Sequence, residues 1–334
     1  MKALVYTGTQ EVVYRDEPEP DTAQSQDNQV LVKVEACGLC GSDMHAYHGL
    51  DARRVPPLIL GHEVTGVVQS GHRQGEQVII NPLISCGSCD LCMGGRPHLC
   101  AERELLGMRM AGAFADFVAV PQSSMLSVPA DMEAAHASLT EPTAVSLHSI
   151  AVAERALHRP VSEARVSVIG AGAIGVLAAL LLQGKGCTDV YIGDTGELRR
   201  ATAEKHGFGH VYNPLENEPA PGTFDLVIDA VGSGKTREAS SRLVAAGGVI
   251  CHIGLQDDAP GLDTRRLTLQ EISFIGNYCY TMADMVAARD AIHTGKLGNL
   301  EWLESRPLSE GASAFADVHN GVASAPKIVL FPGS

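Results

Sequence analysis

Val166-Ser167-Val168-Ile169-Gly170-Ala171-Gly172-Ala173-Ile174-Gly175 is the stretch whose reading decides the fold. A short apolar run ends on a G-x-G-x-x-G pattern, and Ala- and Leu-rich sequence follows to Leu182. The spacing predicts a buried parallel strand, a tight turn and a helix. In that context each glycine has its own use. Gly170 makes the turn, Gly172 lets a pyrophosphate approach the backbone, and Gly175 allows the helix to pack closely on the strand. The helix N-terminus, with Ala173 and Ile174 in its first turn, would face the phosphates. Nineteen residues past Gly175, Asp194 ends the strand-like run 189–194. An acid there accepts hydrogen bonds from the adenosine ribose and repels a 2′-phosphate, which favours NAD over NADP. Arg199 and Arg200 follow on a helical segment, where they could serve a 2′-phosphate or face solvent. Arg199 is therefore kept as a candidate cofactor contact. Runs at 224–231, 248–254 and 272–279 continue the βα rhythm, and Gly254 ends one of them as a further candidate contact. Gly232-Ser233-Gly234-Lys235-Thr236 resembles the tail of a P-loop, but Asp229 stands where that pattern needs glycine.

The rest of the chain reads differently. At 334 residues it has room for two domains. Residues 3–6, 12–14 and 30–34 are short β-type runs, separated by a polar loop over 17–28 that holds two prolines. A small antiparallel β domain is expected before the dinucleotide fold. Residues 112–120 alternate like another strand, and Glu141-Pro142 interrupts helical sequence that begins near Ala134. Beyond Tyr280, helices are expected at 282–293 and 309–323, then a final strand at 327–331. A formal net charge of −14 argues against nucleic acid or an anionic membrane as partner. No apolar run approaches the roughly 20 residues that span a bilayer. The first residues lead straight into strand-like sequence, so no signal peptide is expected and the chain reads as cytoplasmic.

Nine cysteines in such a chain read as metal ligands and core thiols rather than a disulfide framework. Cys86, Cys89, Cys92 and Cys100 give C-x2-C-x2-C-x7-C. Four thiolates at this spacing can enclose one zinc ion and leave no open position, which makes the site structural. The last gap and the missing proline fit poorly with an iron–sulfur cluster, and too few basic residues surround the cluster for a nucleic-acid finger. Cys40-Gly41-Ser42-Asp43-Met44-His45, answered by Gly61-His62-Glu63, offers thiol, imidazole and carboxylate from separate segments, the ligand types of an open catalytic zinc. Cys37, though C-x2-C to Cys40, reads as a core thiol. Neighbouring strand residues point to opposite faces, so His62 and Glu63 can both reach one ion only if the backbone turns there. Glu141, beside a helix-breaking proline, is either an N-terminal charge of a helix or a carboxylate aimed into the active site.

On these motifs, in this order, the chain resembles the zinc-containing medium-chain dehydrogenases over nearly its whole length. It looks closest to the polyol branch, because Glu141-Pro142 stands where the alcohol dehydrogenases have a ligand cysteine. The resemblance implies an α/β architecture. A GroES-like β domain (1–142 with 281–334) would surround a Rossmann doubly wound parallel sheet (143–280). It implies two zinc ions per subunit and NAD. Cys40, His62 and Glu141 would hold the catalytic zinc, with Glu63 able to exchange in. Ser42 would contact the substrate hydroxyl and pass its proton through the cofactor ribose towards His45. The implied reaction is hydride transfer from a secondary alcohol or polyol to NAD. L-Threonine or a simple secondary alcohol is the alternative, with Arg109 as a possible carboxylate partner, and a non-catalytic NAD-binding zinc protein is a third reading. The apolar run at 272–279 suggests an edge that pairs subunits into a homodimer or homotetramer. The turn 69–75 is shorter than the family's usual connection.

Overall fold

A computed structural model of the chain describes residues 1–22 and 29–333. Of the expected loop over 17–28, residues 17–22 are irregular and 23–28 lie outside the described residues. Two sheets dominate. The larger β sheet runs Met125–Ser127, Gln77–Ile80, Glu63–Val68, Gln29–Gly38, Lys327–Phe331, Leu303–Pro307, with Phe117–Pro121 also paired to Gln29–Gly38. All of its pairings are antiparallel except that between the last two strands. A three-stranded sheet of Glu11–Asp16, Lys2–Gly8 and Leu58–Ile59 lies beside it. The second domain is a six-stranded, all-parallel sheet in the order His210–Tyr212, Asp189–Gly193, Arg165–Ile169, Phe224–Asp229, Val244–His252, Ser273–Gly276. That order reverses direction at Arg165–Ile169, the first strand in sequence, and crevices for ligands open at such a point. The molecule is a GroES-like β domain with a Rossmann domain, an α/β fold.

The glycine run behaves as its spacing predicts. Gly170 has φ +102°, a conformation that disfavours a side chain. A Cβ on Gly175 would sit 1.8 Å from the Gly170 carbonyl oxygen, so the helix Ala173–Gly184 packs on its strand only with glycine there. The terminal strand returns to the β domain, where Val329 and Leu330 pair with Gly38 and Cys37.

Several elements differ from expectation: the helix expected at 309–323 spans only Gly311–His319, and strands Gln77–Ile80 and His210–Tyr212 join the sheets without a sequence signal. Strand Leu303–Pro307 was not anticipated, because Leu-Glu-Ser-Arg-Pro has no apolar alternation; it exists through its parallel pairing with Lys327–Phe331. The alternating run 112–120 forms a strand only at Phe117–Pro121. Its first half instead braces the segment before His62, with the amides of Gly112, Ala113 and Phe114 donating to Ile59, Gly61 and Leu60. The run 272–279 is a strand only over Ser273–Gly276, and Cys279 turns away with φ +51°.

Around Glu141-Pro142 the short helix Ala134–Ser138 ends and Thr140–Glu154 begins at once, with the proline in its first turn, where its missing N–H costs nothing. This second helix packs on Met282–His293 through His148 Nδ1 and Asp284 Oδ2, 2.8 Å apart. Met285, Ala288, Ala291 and Ile292 of the latter helix join Val166, Val168 and Leu177 in one apolar core. Burial alone would raise the Asp284 carboxyl, but hydrogen bonds from His148 and Thr281 bring it down to about 2. A folded value below the unfolded 3.8 contributes stability above that pH and loses it as pH falls towards 2. Asp284→Asn should therefore lower Tm at pH 6, by an amount corresponding to about 1–2 kcal/mol. The gap to wild type should close between pH 5 and pH 2, as followed by thermal denaturation across that range.

Candidate active site and metal centres

Cys40 caps the seven-residue helix Gly41–Tyr47: its Sγ accepts from the Ser42 amide at 3.5 Å, while its own amide donates to Asp43 Oδ2 at 3.0 Å. The thiol thus lies at the N-terminus of this helix. Asp43 is fully buried and sets its Oδ1 3.5 Å from His62 Nδ1. A carboxylate behind an imidazole orients the ring and leaves the other nitrogen free for a metal. Burial pulls the His62 imidazole down, but the Asp43 carboxylate and Cys40 thiolate outweigh it and hold the pKa well above the usual histidine range. His62 Nε2 also lies 3.4 Å from Ser42 Oγ.

The turn required for His62 and Glu63 to face one point is present. Gly61 has φ +94°, the strand begins only at Glu63, and ligand atoms of Cys40, His62 and Glu63 lie within 4.8 Å of one another. Glu63 is fully buried, and Lys327 Nζ donates to both of its oxygens at 2.6 Å and to the Leu39 carbonyl at 2.9 Å. A Cβ on Gly38 would fall 2.0 Å from Glu63 Oε2, so this carboxylate needs glycine opposite it. Glu141 is not among that trio. It is buried beside it, accepts a 2.8 Å hydrogen bond from Tyr280 Oη, and is pushed up to about 7, chiefly by burial and then by the Glu63 charge. The Cys40 thiol and three buried carboxylates (Asp43, Glu63 and Glu141) meet here, with Lys327 paired to Glu63 and near Glu141, and Arg54 near Asp43. That surplus of negative donors, with imidazole among them, suits a zinc dication.

The four other cysteines converge as well. Sγ separations are 3.5 Å for Cys89–Cys92, 3.5 Å for Cys86–Cys100 and 3.9 Å for Cys86–Cys92. A tetrahedron with Zn–S bonds of about 2.3 Å has edges of about 3.8 Å. Cys86 is brought down to about 6, first by the amides of Ser88 and Cys89 and then by Cys100, so it readily supplies thiolate. Cys37 is a buried thiol whose pKa burial drives well up.

On the cofactor side, Gly172 caps the helix Ala173–Gly184, and a Cβ there would meet nothing of the protein within 4 Å. Open space before a helix N-terminus is where phosphates fit. Ala173 and Ile174 begin that helix. Asp194 Oδ2 accepts from the Ala171 amide at 2.8 Å and Oδ1 from the Gly196 amide at 2.7 Å, tying the acid to the glycine turn. Arg199 Nη1 is 3.9 Å from Asp194 Oδ2, whereas Arg200 is spent on the backbone carbonyls of Asp194 and Thr195. Gly254 packs against Gly232: a Cβ on Gly232 would sit 1.9 Å from the Gly254 carbonyl oxygen. In the P-loop-like run, Thr236 Oγ1 donates to Asp229 at 2.9 Å and Ser233 caps the next helix.

Sequence reasoning missed Asp43 behind His62, Tyr280 on Glu141, Lys327 on Glu63, and Arg54. Only Asp43 carried a signal, its place in the Cys-Gly-Ser-Asp run. Arg54 is 3% exposed; its Nη2 donates to Ser42 Oγ at 3.3 Å, Nη1 to Asp51 at 2.6 Å and Nε to the Gly107 carbonyl at 2.9 Å. The cation chosen from the sequence, Arg109, is mostly exposed and faces Glu104 at 3.3 Å. His45 is half-buried, and burial followed by Arg54 holds it below the usual histidine pKa, with Asp51 opposing.

Residues 26–130 match the alcohol dehydrogenase GroES-like domain, and residues 173–294 match the family described as zinc-binding dehydrogenase. A zinc-type alcohol dehydrogenase-like protein of Haemophilus influenzae is 30% identical over 89% of this chain and 88% of its own length. The 2-dehydro-3-deoxy-L-galactonate 5-dehydrogenase of Pseudoalteromonas atlantica is 29% identical over 88% of this chain and 89% of its own. A Sinorhizobium meliloti structure solved with NADP superposes with a TM-score of 0.86, at 27% identity and 99% coverage of both chains.

The two ligand clusters make separate, countable predictions. Purified protein should hold two zinc ions per chain by elemental analysis; Cys89→Ser should hold one, with a Tm several degrees lower, because a structural site contributes directly to folding. A variant that kept both ions would remove the thiolate cluster as a metal site. The glycine turn, the thiolate cluster, both matched regions and a 30% identical relative matched over 88% of its length converge on one statement: the chain belongs to the zinc-containing alcohol dehydrogenase family of oxidoreductases.

Proposed function

We propose that this protein transfers a hydride from a secondary alcohol or polyol to NAD, with zinc at the Cys40 centre. The observation that carries this reading is the meeting of Cys40, His62 and Glu63 with Ser42 Oγ 3.4 Å from His62 Nε2. Among the relatives, the name of the Pseudoalteromonas protein points to hydroxyl oxidation on a sugar-derived skeleton.

Cys40, His62 and Glu141 would hold the catalytic zinc, and Glu63, released from Lys327, would take Glu141's place. Zinc supplies Lewis acidity, lowering the pKa of a bound alcohol towards neutrality. Ser42 accepts the substrate hydroxyl proton. His45 is its destination, since an imidazole with a depressed pKa is neutral at pH 7 and free to take a proton. Gly170, Gly172 and Gly175 place the backbone against the pyrophosphate, with Ala173, Ile174 and Gly254 along the same wall. Asp194 accepts from the adenosine ribose and disfavours a 2′-phosphate; Arg199, nearly 4 Å from it, flanks the adenosine. The four-thiolate cluster holds the structural zinc. Subunits associate through the outer strand Ser273–Gly276, where Phe274 is 36% exposed. Among the described residues no helix is long and apolar enough to cross a membrane.

The test is reduction of NAD⁺ and NADP⁺ with alditols, aldonates, secondary alcohols and L-threonine. NAD⁺ should be preferred. Ser42→Ala should lower kcat roughly 10²–10⁴-fold with folding intact, the usual scale for a lost proton-transfer group. Cys40→Ser should lose both turnover and one zinc. Wild-type turnover in either variant would sink this assignment of roles.

A further inference from the structure

The rim of the site beside Ser42 is positively charged, in a chain whose net charge is −14. Asp51 is clamped by two arginines. Arg53 Nε and Nη2 reach its oxygens at 2.8 and 3.0 Å, and Arg54 Nη1 reaches it at 2.6 Å. Burial alone would raise the Asp51 carboxyl, but these two guanidiniums bring it down to about 2, so it stays ionised. Among the described residues Asp51 is the ion-pair partner of both guanidiniums, with the buried Asp43 carboxylate within electrostatic reach of Arg54 but not paired to it. The two arginines also differ in access. Arg54 is buried and touches Ser42, whereas about half of the Arg53 side chain is exposed, between the exposed apolar Leu50 and Val55.

A third guanidinium, Arg103 of the same β domain, reaches towards this place through Tyr278 of the parallel-sheet domain. Arg103 lies over the Tyr278 ring, 4.7 Å from its centroid, and donates to its hydroxyl at 3.3 Å and to the Cys100 carbonyl at 2.8 Å. Among the described residues it has no carboxylate partner. Tyr278 is also within electrostatic reach of Arg53, and the adjoining Cys279 is within reach of Arg103, Cys40 and Glu141. Tyr280, two residues on, bonds Glu141. The segment 278–280 therefore runs from the arginines to the ligand cluster. A structural role for Arg103 needs only its carbonyl and ring contacts, and one for Arg53 needs only Asp51. Neither explains why three guanidiniums with one ion-paired carboxylate among them gather beside Ser42 in an acidic protein.

We infer that the substrate carries an anionic group, a carboxylate or a phosphate, and that Arg53 and Arg103 bind it while the reacting hydroxyl lies at Ser42. Arg54 acts as a positioning residue, fixing Asp51 and hence the Arg53 fork. Arginine suits this task because its planar donors match an oxyanion in bidentate fashion. The inference rests on the dehydrogenase reading and narrows its substrate to acidic sugar derivatives, such as aldonates or alditol phosphates, over neutral polyols.

The experiment compares an aldonate, an alditol phosphate and an alditol of the same carbon number, with NAD⁺, at two salt concentrations. Calorimetric titration of each into the zinc-loaded enzyme is done alongside. One of the two anions should exceed the neutral alditol in kcat/KM by tenfold or more, and which one identifies the group. Its KM should rise with salt, since screening weakens exposed charge pairs. Arg53→Gln and Arg103→Gln should each reduce the anionic-to-neutral ratio of kcat/KM about tenfold, mostly through KM, and weaken the calorimetric affinity for the anion in parallel. Equal turnover of anions and alditol, or an anionic-to-neutral ratio within twofold of wild type in both variants, would overturn the inference while leaving the dehydrogenase reading intact. If no alcohol is turned over, the dehydrogenase reading falls, and the calorimetry still judges the arginines: no anion binding, or binding unchanged by Arg53→Gln, overturns them too.

Discussion

The buried ion pair between Lys327 and Glu63 ties the two ends of this chain together. Its partners are 264 residues apart in sequence, both are 2% exposed or less, and Lys327 Nζ lies 2.6 Å from each Glu63 oxygen. Neither charge is tolerable alone in that environment. Removing one partner of such a pair typically costs about 3–5 kcal/mol, because the other is left uncompensated. The pair therefore obliges the strand Lys327–Phe331 to lie beside Gln29–Gly38, with Gly38 small enough to admit the carboxylate. It also holds Glu63 next to Cys40 and His62, so the same contact that closes the β domain sets the charge of the site.

The remaining ligands arrive from elements that share no local sequence. Cys40 comes from a helix cap, His62 from the turn before a strand, and Glu141 from the first turn of the helix that joins the two domains. Tyr280 reaches Glu141 from the end of the parallel sheet. The carboxylates are held by partners near and far in sequence: Asp51 by its neighbours Arg53 and Arg54, Asp43 by His62, and Glu63 and Glu141 by the distant Lys327 and Tyr280. Side chains already paired in this way lose less freedom on binding, which lowers the ordering cost of holding a metal and a substrate in register.

Much of this was legible in the sequence where a motif is local. The Gly170–Gly175 turn, the strand before it and the helix after it follow from steric demands within ten residues. The four cysteines converge because their spacing lets one short loop bring all the thiols together. His62 and Glu63 were readable as a pair only conditionally, because a regular strand would separate them; the positive φ at Gly61 and the bracing amides of 112–114 supply the turn. The strand Leu303–Pro307 had no signal, since a polar five-residue segment becomes a strand only when a neighbour offers a ladder. The run 112–120 misled in the opposite sense. Its alternation is real, but its first half spends its hydrogen bonds on the loop that carries His62.

What the sequence determined by itself was therefore the short-range chemistry: the dinucleotide turn, the thiolate cluster, the pairing of a thiol with an imidazole, the two-domain order and the acidic surface. These depend on residue type and on spacings of a few residues, and backbone sterics turn such spacings into shape directly. What only the tertiary structure decided was which charges meet. Arg109 reads in sequence as the cation near the substrate, yet it lies exposed against Glu104, while Arg54, with no motif around it, is buried on Ser42. A charge is attracted to whatever the fold brings within a few ångströms, and its strength depends on how much water the fold leaves there. Neither quantity is encoded in neighbouring residues, so the electrostatic character of the site emerges only once the two ends of the chain have met.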